Sequence, residues 1–533
     1  MYQAIRHSTP VLPEALENGL RIVREQFSVL DRVLGKYGAL SVADYVATLF
    51  ETPSASLQKR SDFTVLVADM VSKVLGPEIA AAAAEQLATD PVVLTANHHG
   101  LDTFAQSLQT NLLFSMCPHR AGKMLSVVPV LACGNVPLNN LTYPRGLLVY
   151  GLTGDAAQSG MMRLPLFPDK YKRRMVSRVS PFDQSMVERL QKRLETPPLS
   201  HAISPRVVGY LQQTLATDFK LVAASGHLSY SAQATHINAL LWRNLFSVRE
   251  EAPVLLYIEL EQIAAHLLLQ DLLDQDSLAS TLLFDGDVRS VLLEQLNGVQ
   301  GCWTLTSRSA AMAGVELPSG DNGGTLFFWG VDESGLRVAL APDISETGEW
   351  TLRGTGQKGG SWSVPLTAVA ISDELKAGRI IPSLFTSYML LALARGITCI
   401  GGYYQAAYLP EMQRGVVEAL CASTHHNGVE KAKIVSRANT DKYLSGMQTV
   451  TVRAGDRRTP AGFAEIAAAG GLARQHLRSM AGVTVLDAHI ASLADTLIDA
   501  KSSCAECEAL IADVISTTER VELANTVTLA LDD

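Results

Sequence analysis

The chain has 533 residues, 47% of them apolar and only 18% charged, a packed globular composition that excludes broad disorder. Its 44 basic and 53 acidic residues leave a net charge of −9 with no basic block, which argues against a nucleic-acid backbone as the main partner. At roughly 100–200 residues per domain the length predicts about two to four folding units. Seven scattered cysteines, an odd number, fit a reducing compartment. The opening stretch MYQAIRHSTPVLPEAL has no apolar targeting segment. No stretch reaches the ~18 uninterrupted apolar residues of a membrane span; the nearest, Met389 to Ile400, is broken by Arg395 and Gly396. A cytoplasmic protein with no membrane partner is expected.

In chain order, residues 1–89 read as a helical segment. Leu16 to Leu34 carries apolar residues at helical spacing, and an alanine run follows Pro77. Asp90-Pro91 is a breaker, after which Val92-Val93-Leu94 reads as a short buried strand ending in the polar turn Asn97-His98-His99-Gly100. Asp102 and Thr103 suit a helix start, with Phe104 to Met116 continuing it. Ser126 to Ala132 predicts a second strand, running into the polar turn Cys133 to Asn140; Gly146 to Gly151 predicts a third. Residues 155–218 read as irregular and helical. Leu221 to His227 reads as a strand ending at a polar turn, followed by a helix that carries His236, Asn238 and Arg243. Pro253 to Glu259 predicts a strand leading into a Leu-rich helix. Strands repeatedly followed by polar turns and helices predict an α/β fold with a parallel Rossmann-like core over residues 90–410. In such sheets ligands bind beyond the carboxyl ends of the strands, which makes His98, Asn135 and His227 candidates for one crevice.

Thr325 to Leu340 predicts an inserted β-hairpin, with more strand through Trp350 and Trp362. Helix is expected again over Leu375 to Arg395. Residues 411–533 read as nearly all helical, with a long Ala/Leu/Glu tail from Ala461 to Ala530 that either makes a homodimer or packs on its own core.

The principal constellation is Thr95-Ala96-Asn97-His98-His99-Gly100-Leu101-Asp102. Two histidines after a strand offer two bases or ligands, Gly100 permits close backbone approach, and a following helix start would offer N–H groups to an anion. The plainer reading gives one histidine a backbone bond and makes Asp102 an N-cap. A second group, Asn139, Asn140, Thr142 and Arg145, has amides and a guanidinium able to hold a carboxylate, or is a structured turn with a solvent-facing arginine. His227, His236, Asn238 and Arg243 form a third, against which stands a core-facing helix with one satisfied histidine. The basic run Lys170 to Arg174 reads as a solvated helix face or as a phosphate contact. Cys504 and Cys507 form a lone CxxC without the further ligands that zinc needs, and His425-His426-Asn427-Gly428 reads as a loop. Glu259 and Glu261 sit too close in sequence for both to face one side of a helix, which weakens a carboxylate dyad.

Known motifs come close and miss. Phosphate acyltransferases separate a His from an Asp by four residues, whereas three separate His98 from Asp102 and two separate His99 from it. The His-x-Gly-His of class I adenylating enzymes lacks its last histidine at Leu101. No Gly-x4-Gly-Lys-Ser/Thr phosphate loop exists.

A longer pattern goes further. Ile380-Ile381-Pro382 through Leu390, then Gly401-Gly402-Tyr403-Tyr404-Gln405 through Gln413, resembles a stretch of the bacillithiol-synthesis cysteine ligase family. Thr95 to Gly100 is similar to that family's Thr-Gly-Gln-Gln-x-Gly turn, and Val128-Pro129-Val130 to its Val-Pro-Val strand. The resemblance covers roughly residues 90–413, with His98-His99 in place of Gln-Gln and Asn135 to Asn140 in place of an acidic/His turn. It implies a Rossmann-like nucleotide-binding core with helical additions and a coiled coil, but not cysteine as the substrate, because fold does not fix function.

The expectation is a ligase or transferase forming an amide or related bond on a small polar metabolite, using ATP with Mg²⁺ or an activated acyl group. His98, His99 and Asp102 are its catalytic candidates. Thr95, Asn97, Gly100, Asn135, Asn139, Asn140, Arg145, His227, Asn238 and Tyr404 are its binding candidates. One alternative is a metal-dependent hydrolase or lyase with His98, His99, Asp102 and His227 as ligands; another is a non-catalytic scaffold of the same fold.

Overall fold

The structure, a computed structural model, describes all residues except 1–11, 51–54, 117–124, 152–160, 198–201, 306–307, 310–323, 345–347, 357–358, 424–426, 455–456, 501–504, 522, 524–525 and 532–533. The double histidine at 425–426 and Cys504 of the CxxC lie outside the described residues.

Five short strands form the central sheet: β1 (Val92–Leu94), β2 (Val127–Ala132), β3 (Val254–Glu259), β4 (Thr398–Gly402) and β5 (Tyr443–Ser445). They lie in the order β5-β4-β1-β2-β3 and every pairing is parallel. The principal helices around the sheet are α1 (Ala105–Ser115), α2 (Tyr230–Arg243), α3 (Leu260–Asp271) and α4 (Tyr403–Cys421). This is a Rossmann-like α/β core. Chain order runs outward from β1 through β2 to β3, then restarts at β4 on the other side of β1, so the strand order reverses between β1 and β4.

Side-chain alternation along the strands builds two cores. Val92, Leu94, Val128 and Val130 face one side of the sheet, where helices from both chain ends gather. Val93, Val127 and Leu131 face the other, against Arg60–Leu75, Pro77–Thr89 and α3. Strands buried on both faces read as continuous apolar runs, which is why these were visible in the sequence.

The inserted hairpin forms as expected from Phe328–Val331 and Arg337–Ala339, with Ile380–Pro382 as a third strand. Several elements differ from expectation. The helical reading of Leu16 to Leu34 splits at Phe27, whose extended backbone separates Glu14–Gln26 from Ser28–Tyr37. The α1 helix starts at Ala105, and Asp102 does not cap it. Leu221 to His227 is no strand: Lys220–Ala224 is helical, continuing a π-helical turn. The helix expected from Leu375 is interrupted by the Ile380–Pro382 strand.

Beyond 411 the chain also holds strands. β5 completes the central sheet, and Val450–Ala454, Arg457–Pro460 and Val527–Ala530 form a separate one. The boundary expected at 410 falls inside α4. A coiled coil is not shown among the described residues. The tail is cut into short helices, of which Leu493–Asp499 and Ala505–Arg520 pack on Glu14–Gln26. A Cβ added at Gly19 would lie 3.0 Å from Leu493, 3.2 Å from Leu497 and 3.3 Å from Val514. No helix among the described residues is long and apolar enough to cross a membrane.

Candidate functional site

A cleft of about 520 Å³ opens at the carboxyl ends of β1, β2, β4 and β5, at the reversal of strand order. Its size is within the usual ~300–1,000 Å³ of small-molecule sites. Pairing continues past the ends of β1 and β2: the His99 N–H donates to Cys133 O at 2.8 Å, and the Cys133 N–H to Asn97 O at 2.8 Å. The two strand-end turns are thereby tied together, and His98 and Cys133 both line the cleft.

The His98 turn is held from every side. The Tyr257 hydroxyl donates to His98 O at 2.7 Å. Asn238 clamps the backbone twice, donating to Gly100 O at 2.7 Å and accepting from the Asp102 N–H at 3.1 Å. The Leu101 N–H donates to the Tyr230 hydroxyl at 3.1 Å. Gly100 has φ 118°, and a Cβ there would drive far inside contact distance of Pro144. Gly100→Ala is therefore expected to destabilise the protein by about 1–3 kcal/mol. A thermal midpoint equal to wild type would show that the turn relaxes freely.

His98 has a determinable tautomer. Asn140 donates through Nδ2 to Pro137 O at 2.8 Å and accepts the Thr142 N–H at Oδ1 at 2.9 Å, so its amide orientation is set by the backbone. His98 Nδ1 faces that Oδ1 at 3.4 Å and the Thr142 hydroxyl at 3.2 Å. The Thr142 hydroxyl in turn donates to Asn140 Oδ1 at 2.8 Å. Nδ1 therefore carries the proton, and Nε2 keeps its lone pair with no protein partner among the described residues. Burial holds the imidazole below its ordinary pKa, partly offset by the Asn140 bond. The next residue, Tyr143, is the single non-glycine residue at positive φ among the described residues (54°).

The other candidates separate from this point. His99 is fully buried, bonded through Nε2 to the Ser231 hydroxyl at 2.9 Å and stacked on Tyr257. Burial pushes its pKa down to about 4. It packs behind the turn and does not line the cleft. Asp102 accepts from Ser107, from Asn111 at 2.9 Å and from Asn97 at 3.3 Å, and burial pushes it up to about 6 despite those bonds. Asn97 and Asp102 thus support the turn from beneath. Arg145 does not reach the cleft: it pairs with Asp169 and donates to Phe167 O at 2.8 Å. Asn139 is exposed outside the cleft, while His227 bonds to His236 at 2.9 Å away from it. The ligand set His98, His99, Asp102 and His227 does not converge, and no three His, Cys, Asp or Glu side chains among the described residues are placed to hold a metal.

Thr95, Asn135 and Tyr404 do line the cleft, together with residues not singled out in the sequence. Gln405 donates to the Thr95 hydroxyl at 2.8 Å and accepts from the Tyr388 hydroxyl at 2.6 Å, forming a buried polar floor. The inserted hairpin brings in Arg337, whose guanidinium stacks on Trp329 at 4.5 Å. Cys133 Sγ donates to Glu261 at 3.1 Å. Burial, reinforced by Glu261, pushes the thiol well above its ordinary range and keeps it protonated. Glu261 also accepts the Gly134 N–H at 2.7 Å, so it braces the β2 turn.

Glu259, ending β3, is buried beside Glu261, and burial followed by that neighbour pushes its pKa up to about 7. An unfolded glutamate titrates near ~4.3. A raised folded pKa contributes stability that is full below the unfolded value and is lost as pH rises through about 7. Glu259→Gln is expected to reduce the fall in melting temperature between about pH 5 and about pH 8. Part of the slope remains, because Glu465 is raised to about 7 in the same way. Superimposable profiles would refute the assignment. No protein-family model matches the chain, and no curated protein or solved structure matches it either, so no family is shown for it.

Proposed function

We propose that the cleft is the active site of a transferase- or ligase-like enzyme acting on a small anionic metabolite, with His98 Nε2 as the general base. One observation carries the reading. An imidazole of defined tautomer stands beside an open cleft at the strand-order reversal, where open parallel sheets place their ligands. Neutral near pH 7, it would accept a proton from an incoming amine or hydroxyl. Charge supports an anionic substrate. No Asp or Glu is among the described residues lining the cleft, whereas Arg337 is. The resemblance in the sequence to an amide-forming ligase family lends the reaction class.

That lining does not fit a protein-held Mg²⁺. The ion is bound through one or two carboxylates plus phosphates, and the described lining offers none. We therefore favour an activated acyl donor, whose carbonyl carbon would be attacked by the amine or hydroxyl that His98 deprotonates. The leaving group departs with the electron pair of the broken acyl bond. The test is incubation of the purified protein with acyl-CoA, acyl phosphates, or ATP with Mg²⁺, each with an amine panel, following new amide or ester masses. Product from an acyl donor without ATP supports the reading. Product with ATP and Mg²⁺ alone would move it to a ligase with a phosphate-carried metal, and no product from any donor would overturn it in favour of a non-catalytic scaffold.

A further inference from the structure

We infer that the amino end of α4 anchors a phosphoryl group, so that the cleft's ligand is a phosphorylated small molecule; this rests on the cleft being the ligand site. The α4 helix runs for 19 residues, and its aligned peptide dipoles leave partial positive charge at its start. That start borders the cleft, because Gly402, Tyr403, Tyr404 and Gln405 all line it. Helix starts are normally closed by a side-chain cap. Gly402 has no side chain to offer, and the first turn contains no acid. The first N–H groups of a helix have no intrahelical acceptor, and no side chain caps them here.

A second feature points to the same ligand. Asn135, at the end of β2, is only 6% exposed. Its backbone and side-chain oxygen are engaged: the N–H donates to Glu261 at 3.3 Å, and Oδ1 accepts from Cys133 at 3.3 Å. Its carbonyl accepts from Arg337 at 3.4 Å. The Nδ2 group alone has no partner among the described residues, on a side chain that lines the cleft. That N–H group opens on the cleft, where an anionic ligand would supply its acceptor.

The electrostatics agree. In a chain of net charge −9, the described lining carries a guanidinium and no carboxylate. The nearby Asp499 is engaged by the Tyr403 hydroxyl. Backbone N–H groups at a helix start, an amide and a guanidinium are the donor set that phosphate oxygens take.

Gly402 permits a direct test. Its φ of −84° is ordinary for any residue, and a Cβ there would find Ser445 no nearer than 3.9 Å. Gly402→Asp would place a carboxylate on the uncapped N–H groups as an intramolecular cap, filling the anchor without emptying the core. Binding of inorganic phosphate and pyrophosphate would be measured by calorimetry. Saturable binding to wild type is expected, weakened at least tenfold by Gly402→Asp and severalfold by Asn135→Ala, and retained in Gly402→Ala. Gly402→Asp should melt no lower than wild type, because an N-cap aspartate stabilises a helix. Absence of saturable binding to wild type, or equal binding by Gly402→Asp, overturns the anchor. Its failure is distinguishable from failure of the reaction reading. Phosphate binding with no turnover leaves the anchor standing alone, whereas turnover that phosphate and pyrophosphate do not inhibit leaves the reaction without it.

Discussion

His98→Ala is expected to lower turnover by about 10²–10⁴-fold, the range general-base catalysis supplies, with little change in melting temperature. The side chain is half-buried, and its bonds run to a turn that Asn140 and Thr142 hold without it. His99→Ala should do the reverse. It removes the bond to Ser231 and the stack on Tyr257 from a fully buried position, so melting temperature falls while the residual folded protein keeps its turnover per molecule. The pH profile supplies a further check. Burial lowers the His98 pKa below its ordinary value near ~6.5. The base form is therefore present at neutrality, and kcat/KM should fall only on the acid side of that value. Breaking the Asn140 bond removes the interaction that favours the protonated ring. Asn140→Ala should therefore move that acid limb further down and relax the tautomer. Equal turnover in His98→Ala and wild type would end the assignment.

The contrast between these neighbours shows where the sequence stops being readable. Val92-Val93-Leu94 was legible as a strand because a breaker precedes it, a polar turn follows it, and both faces are buried. The turn after it was legible as a candidate site for the same reason. Successive side chains of an extended segment point to opposite sides, so one of two adjacent histidines had to face away. Which one depends on Ser231 and Tyr257, more than a hundred residues distant in sequence. Arg145 and Arg337 make the same point. Arg145 sits beside Asn139 and Asn140 in sequence but finds Asp169 and Phe167 first, whereas Arg337 looked like one residue of a hairpin until that hairpin folded over the β2 turn. Local apolar runs failed in another way. Leu221 to Ala224 is as apolar as a strand, and a short run carries no period by which to separate strand from helix. In the tail, alanine and leucine content obscured the alternating Val450-Thr451-Val452, which pairs with both the neighbouring strand and the end of the chain.

Arg395, which interrupts the apolar run from Met389, carries the largest expected effect on stability. Its side chain is fully buried and makes two bonds to Asp271, at 2.6 and 3.1 Å, linking the π-helical segment Met389–Ala394 to the end of α3. A third bond reaches Leu390 O at 3.2 Å. Burial pushes the Asp271 carboxyl above its ordinary pKa even with the guanidinium beside it, so desolvation consumes much of the attraction. Such a pair adds little net stability over a well-packed apolar substitute, but removing one partner strands the other. Asp271→Ala is therefore expected to cost about 3 kcal/mol in urea unfolding, because it leaves Arg395 buried with only the more distant, half-exposed Asp62 at 3.9 Å as a counter-charge among the described residues. The double variant Asp271→Ala/Arg395→Met should recover most of that loss, since the unpaired charge is gone and methionine fills a similar path. A single variant within ~1 kcal/mol of wild type would mean that water reaches the guanidinium, as it does at exposed pairs. A double variant no better than the single would mean that the pair holds α3 and the π-helical segment in register.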